Sequence, residues 1–450
     1  MRRSLQKEHD DHITALYFDG RKDRTLTQVE VNHRWYRESK FEEHYVFVSE
    51  PGGRYVTHFT PKSSKSADIA NSILEVIKGS SLEDSIAVID CDSANVNTGC
   101  SSGVIRRLEE ALKRPLQIFV CMLHTNELPL RHLFLNLDGF TTGATTFSGP
   151  IGRAFHECEK MPVVPFASIV DGHPPVDLPQ DVVDDLSEDQ QYLYRIISAI
   201  RSGSVNEKLS ALKPRTISHS RWITFANRVC RLYIATINPS KALKTIVHFI
   251  VVYYAPLWFE IKSKPACTDG PKHVLSAIRA MRSLPPDVQK WTKPYLSRNS
   301  YFAHVENVLL AMLADSSRCK REKAINEIIK ARKGTQKLNT VRQFKVPFLN
   351  YDATDYDEVI MWDANEVTEP PLTMKLTDSE ILNIIEVPLP VPKYPNHFQA
   401  VERIIKLVTE ASGAVCGFDS RDGYIRSGMY SRQITPHLHS KKDLTTMITD

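Results

Sequence analysis

The feature that most limits what this chain can become is a pair of short apolar segments that each run into acid. Residues 13–18 (Ile-Thr-Ala-Leu-Tyr-Phe) are β-branched and aromatic and end at Asp19-Gly20, while residues 86–89 (Ile-Ala-Val-Ile) end at Asp90-Cys91-Asp92. Runs of this length and type read as buried strands. Residues 44–48 and 54–59 flank Pro51-Gly52-Gly53, an antiparallel hairpin signal. Residues 25–32 have strand character as well.

Helical spacing joins these strands. Ile69, Ile73, Val76 and Ile77 repeat over 66–78, and Val104, Ile105, Leu108, Ala111 and Leu112 share one face over 103–113. Residues 116–120 (Leu-Gln-Ile-Phe-Val) form a third buried run. A hairpin followed by strand, helix, strand and helix predicts an α/β fold, in the element order of an RNase H-like mixed sheet with flanking helices. From about Gly149 the pattern changes. Pro-rich turns near 162–179 precede long helical patterns over 188–212, 221–260, 271–283 and 300–333. Residues 345–395 are acidic and Pro-rich and read as a linker or loop, and a last helix is expected over 397–411. The division is therefore 1–148 for the first part of the core, 149–344 for a large all-helical insertion domain, 345–395 for the linker, and 396–450 for the final core helix and tail.

Composition narrows the class only mildly. The formal charge of +4 permits a nucleic-acid partner without demanding one. Eight cysteines without a CxxC pair build neither a disulfide framework nor a zinc knuckle, which fits a reducing intracellular compartment. The charged N-terminus lacks the apolar stretch of a secretory leader, and the most apolar run, 246–259, is shorter than the roughly 20 residues that span a bilayer. No membrane association is expected.

Acids at the ends of neighbouring strands can converge on divalent cations, as two-metal phosphoryl chemistry requires. Asp19 and Asp92 are candidates on that ground, with Asp90 two residues before Asp92 and on the same side by strand alternation. Taken alone, Asp19-Gly20 reads equally as a turn and Asp92 as a helix cap. Glu402 lies at the edge of an apolar stripe formed by Phe398, Val401, Ile405 and Val408, where a lone glutamate is ordinarily solvated. Cys121 and His124 have the spacing of half a zinc site, with no second pair nearby. Arg221 and Trp222 fit a phosphate contact and a base stack, or an Arg cap over a buried Trp. Lys330, Arg332 and Lys333 on one helix, and Arg426 near the C-terminus, fit a DNA backbone or a solvated charged face.

Four segments in order resemble the hAT group of cut-and-paste DNA transposases. Asp92-Ser-Ala-Asn95 resembles the segment carrying that group's second catalytic aspartate. Residues 120–128, with Cys121, His124 and Leu128, resemble its Cys-x-x-His-x-x-x-Leu junction. Ser220-Arg221-Trp222 resembles its Thr-Arg-Trp motif, and Ala400-Val-Glu402-Arg403 its Ser-Glu-Arg helix. The resemblance implies a catalytic, metal-binding triad of Asp19, Asp92 and Glu402, with Asp90, His124 and Arg403 as active-site neighbours. It also implies two Mg2+ or Mn2+ ions, no small-molecule cofactor, DNA as partner, a homodimer or larger assembly, and a nuclear location. The helical domain inserted before the glutamate-bearing helix belongs to the same pattern. The zinc-binding module that usually precedes such a core has no Cys/His quartet here, so a fragment or a domesticated, transposon-derived protein is expected. The other reading is a catalytically inactive derivative that binds nucleic acid or protein.

Overall fold

The first strand is much longer than its apolar run implies. In the computed structural model, which describes residues 13–143, 146–170, 176–217, 222–334, 345–397 and 399–434, β1 extends over Ala15–Val31 and pairs along its length with β2, Arg34–Ser49. Asp19-Gly20 is therefore not a turn, and residues 25–32 are not a separate strand. Asp19 pairs with Val46 and Gly20 with Tyr45, and the Tyr45 ring lies 2.5 Å from where a Gly20 Cβ would stand. Glycine is needed there because the ring crosses the backbone.

β2 turns through Pro51-Gly52-Gly53 into β3, Arg54–Phe59, as the sequence implies. After α1, Ser66–Gly79, β4 (Val88–Cys91) returns beside β1 in parallel. After α2, Val104–Leu112, β5 (Gln117–Val120) adds in parallel beside β4. The sheet is mixed, with order β3-β2-β1-β4-β5. Asp90 thus lies within β4, which runs two residues past the apolar run and ends at Cys91.

Strand alternation sends Leu16, Phe18 and Ile89 to one face and Ala15, Tyr17 and Val88 to the other. The first face is closed by Ile69, Ile73 and Ile77 of α1 with Val104, Ile105 and Leu108 of α2. The second belongs to a larger core shared with the helices that follow. These are α3 (Met122–Asp138), α4 (Glu188–Ser202), α5 (Trp222–Ile234), α6 (Lys241–Ser263), α7 (Gly270–Arg282), α8 (Pro286–Asn299), α9 (Val305–Leu313) and α10 (Arg318–Gly334). Helix α8 is not legible from periodicity because it begins at Pro286 and carries Pro294 inside it. Helix α6 is long and apolar enough to cross a membrane, yet 72% of its most apolar stretch is buried in the fold, as in a core helix.

The stretch 345–395 is irregular, as its prolines dictate, but it is packed rather than loose. Tyr356, Val359, Ile360, Ile381 and Tyr394 are buried in the shared core, and Lys323 of α10 meets Asp357 at 2.7 Å. The chain then enters α11, Gln399–Ala414, whose Val401, Ile404, Leu407, Val408 and Ala411 cover the second sheet face. A further helix, α12 (Phe418–Ile434), follows where the sequence reading has only a tail.

Candidate active site

Parallel pairing sets the position of the acids. Ala15, Leu16 and Tyr17 of β1 stand beside Val88, Ile89 and Asp90 of β4. Pairing ends there, and Asp92 follows one residue past the end of β4, near enough for its charge to act on Asp19. Alternation along β1 points Asp19 toward the face of Tyr17, across which α11 packs.

One oxygen of each aspartate is fixed locally. The Gly20 N–H donates to Asp19 Oδ1 at 2.8 Å. Asp92 Oδ1 accepts from the Ala94 N–H at 3.0 Å and from Asn97 Nδ2 at 2.7 Å. The cap expected of Asp92 is not formed, since Ala94 is the N-cap of the short helix Asn95–Thr98; the bond from the Ala94 N–H instead closes an Asx turn that orients the Asp92 side chain through Oδ1. Asn97, buried within the short turn Asn95–Thr98, is the partner that motif reading missed, because attention fell on the exposed Asn95.

The charges act on one another. Burial, then the negative charges of Asp92 and Glu402, push the Asp19 carboxyl up to about 8, against the pull of the Gly20 N–H and Arg21. Glu402 is exposed on the first turn of α11, and its charge nonetheless reaches Asp19. Among the described residues no three His, Cys, Asp or Glu side chains close tightly enough to hold a metal ion. The three acids surround one region without forming a finished ligand set.

Asp90 sits behind them. It is completely buried and neither oxygen makes a well-formed hydrogen bond. Burial, with the charges of Glu50 and Asp92, holds its carboxyl well above the carboxylate range, the Cys91 N–H pulling the other way. His124, in the first turn of α3, borders the same region. Burial lowers its pKa, Asp92 opposes, and Arg131 adds to the lowering. Its Nδ1 is 3.8 Å from Glu127. Arg403 is exposed beside Glu402, and its charge reaches Glu50 and His397.

The basic and aromatic candidates elsewhere divide. Arg221 and Phe398 lie outside the described residues. The Trp222 ring packs 4.7 Å from Phe225 against the core, a structural position. Lys330 pairs with Glu327 at 2.6 Å, and Lys333 is exposed. Arg332 is a candidate held by partners within the chain. Its guanidinium bonds Glu369, Asp378 and the Leu376 carbonyl, which latches α10 to the irregular stretch. Arg426 is another. It donates to Asp422 at 2.8 Å and to the Val56 carbonyl at 3.0 Å, and lies over the Tyr55 ring, tying α12 to β3.

Compared with known proteins, the chain matches no family model, no curated protein and no solved structure.

Proposed function

We propose that the chain is a metal-dependent DNA nuclease core of the RNase H-like type, acting as a cut-and-paste transposase of the hAT kind through Asp19, Asp92 and Glu402. The observation that carries this reading is that Asp92 and Glu402, from distant parts of the sequence, both act on the raised Asp19 carboxyl. The strand order β3-β2-β1-β4-β5, with acids on and just past adjacent parallel strands and a third acid on the helix crossing that face, supports it.

The donor chemistry fits a hard cation, since carboxylate oxygens are the ligands Mg2+ and Mn2+ favour. The like charges around Asp19 are those a cation offsets. Asp19, Asp92 and Glu402 would hold the ions, which when bound polarise a phosphodiester and activate water or a 3′-hydroxyl. The chain's own residues do the rest. Asn97 and the Ala94 N–H aim Asp92, the Gly20 N–H aims Asp19, and α11 carries Glu402 over the strand ends. His124, with its pKa lowered, stands at the border of the site as a neutral imidazole that can orient substrate. A nuclear location and a dimeric or larger assembly go with this reading.

A second reading, a catalytically silent transposon-derived protein that binds nucleic acid or protein, is favoured by the outward exposure of Glu402 and the unfinished ligand set. Nicking of duplex DNA by the purified chain in Mg2+ or Mn2+ separates the two. The enzyme reading expects Asp92→Asn to abolish nicking. Equal metal-dependent nicking by the variant removes Asp92 from the mechanism, and none by the wild type favours the silent derivative.

A further inference from the structure

We propose that the outer halves of β1 and β2 form a β-ribbon arm that enters the major groove of duplex DNA. The inference rests on the DNA-acting reading above and adds where the duplex is held.

β1 has β4 beside it only as far as Tyr17, and β2 has β3 beside it only from Tyr45 onward. Between those limits the two strands pair with each other alone, and residues 30–41 are exposed without interruption. The root is held firmly. Thr409 donates to Asp23 at 2.6 Å, Arg421 donates to the Leu26 carbonyl at 3.0 Å, and buried Thr25 meets His44 at 2.7 Å. A two-stranded ribbon exposed on both faces is marginal by itself in water. Here a braced base projects its tip into solvent.

The tip carries unusual chemistry for an uncovered hairpin. The paired segments 24–31 and 34–41 hold Arg24, Arg34, Arg37 and Lys40 against Glu30 and Glu38, a net +2. The pairs Arg24–Phe41, Gln28–Arg37 and Glu30–Trp35 lie on one face by alternation. On that face Trp35 is 66% and Phe41 62% exposed. Arg24 lies 5.6 Å over the Phe41 ring, and Arg37 stands between the two aromatics.

Exposed aromatics interleaved with cations suit phosphates and base edges together, and a two-stranded ribbon fits the major groove, which is about 12 Å wide. A second copy of the chain is a poorer occupant, because two arms of net +2 repel. A solely apolar partner would leave Arg24 and Arg37 without counter-charge.

The test is fluorescence anisotropy of the full chain with a mixed-sequence 30-base-pair duplex, in EDTA so that no cleavage enters, across 50 to 200 mM KCl. The double variant Arg24→Ala/Arg37→Ala is expected to bind about tenfold more weakly, with the slope of log K against log salt reduced by about 1.8. Trp35→Ser is expected to weaken binding with the slope unchanged. Melting temperatures matching the wild type show that each variant folds. Wild-type affinity and slope in both variants overturn the inference. So does conversion of a dimer to a monomer with DNA affinity retained, which assigns the arm to a second copy. Binding through the arm without any metal-dependent nicking leaves the arm standing and removes the nuclease reading. Nicking with no dependence on the arm does the reverse.

Discussion

Replacing Asp19 by asparagine is expected to stabilise the metal-free chain at alkaline pH. The amide oxygen can keep the 2.8 Å bond from the Gly20 N–H, so local geometry survives. What disappears is a charge that burial, Asp92 and Glu402 all oppose, raising the carboxyl from 3.8 to about 8. The unfolded chain releases this proton near its ordinary value and the folded chain near 8. Between those limits the unfolded state holds fewer protons, so wild-type stability falls as pH rises, and the full penalty is present above 8. About four powers of ten in proton affinity, at about 1.4 kcal/mol each, bound the penalty at roughly 6 kcal/mol. Asp19 is only partly buried, so solvent screening brings the figure to about 2 kcal/mol. For a chain of this length that is roughly 2–4 °C in melting temperature. The assay is a thermal melt of wild type and Asp19→Asn in EDTA at pH 4.5 and pH 8.5. The variant should melt higher at pH 8.5 and nearly level at pH 4.5, and millimolar Mg2+ should lift the wild type more than the variant. A variant that melts at or below the wild type at pH 8.5, or with the same offset at both pH values, refutes the account of mutually repelling acids.

Asn97→Ala removes the 2.7 Å bond that aims Asp92. Metal-dependent nicking should drop about tenfold with the fold intact by circular dichroism, and an unchanged rate would mean Asp92 needs no such support. Arg332→Ala leaves Glu369 partly buried without its partner. It should lower stability by about 2 kcal/mol in a thermal melt while duplex affinity stays at the wild-type value. Gly20→Ala places a Cβ 2.5 Å from the Tyr45 ring. A loss of about 1–3 kcal/mol together with slower nicking is expected, because Asp19 is the adjacent residue.

The sheet was legible where side chains decide structure. The runs ending at Asp19 and near Asp92, the turn at Pro51-Gly52-Gly53, and the stripes of α1 and α2 each declare themselves by spacing. Strand character was legible over 25–32, but its continuity with the run ending at Asp19 was not, since Asp19-Gly20 reads as a turn and only Asp23 and Thr25 of the outer part are buried. Helix α8 was hidden by its prolines, and the 345–395 stretch by composition that resembles a loose linker although Tyr356, Ile360 and Tyr394 anchor it. At the site, the side-by-side placement of Tyr17 and Asp90 follows from strand register, whereas Asp92 lies one residue past β4 and its support from Asn97 depends on a single turn that spacing does not specify. The fates of Arg332 and Arg426 were illegible because both partners of each contact lie far along the chain, and a basic helical face looks the same whether it meets water or a distant carboxylate.

The late position of α11 also bears on how the protein is made. Its apolar stripe covers sheet residues that leave the ribosome some 350–385 residues earlier. At about 5–20 residues per second, the Ala15, Tyr17, Val46 and Val48 surface waits roughly 18–77 s for its cover. Through that interval the nascent chain presents an unfinished strand layer, so its yield in a cell should depend on holding chaperones, and premature termination anywhere before residue 399 should produce an insoluble product rather than a smaller folded one.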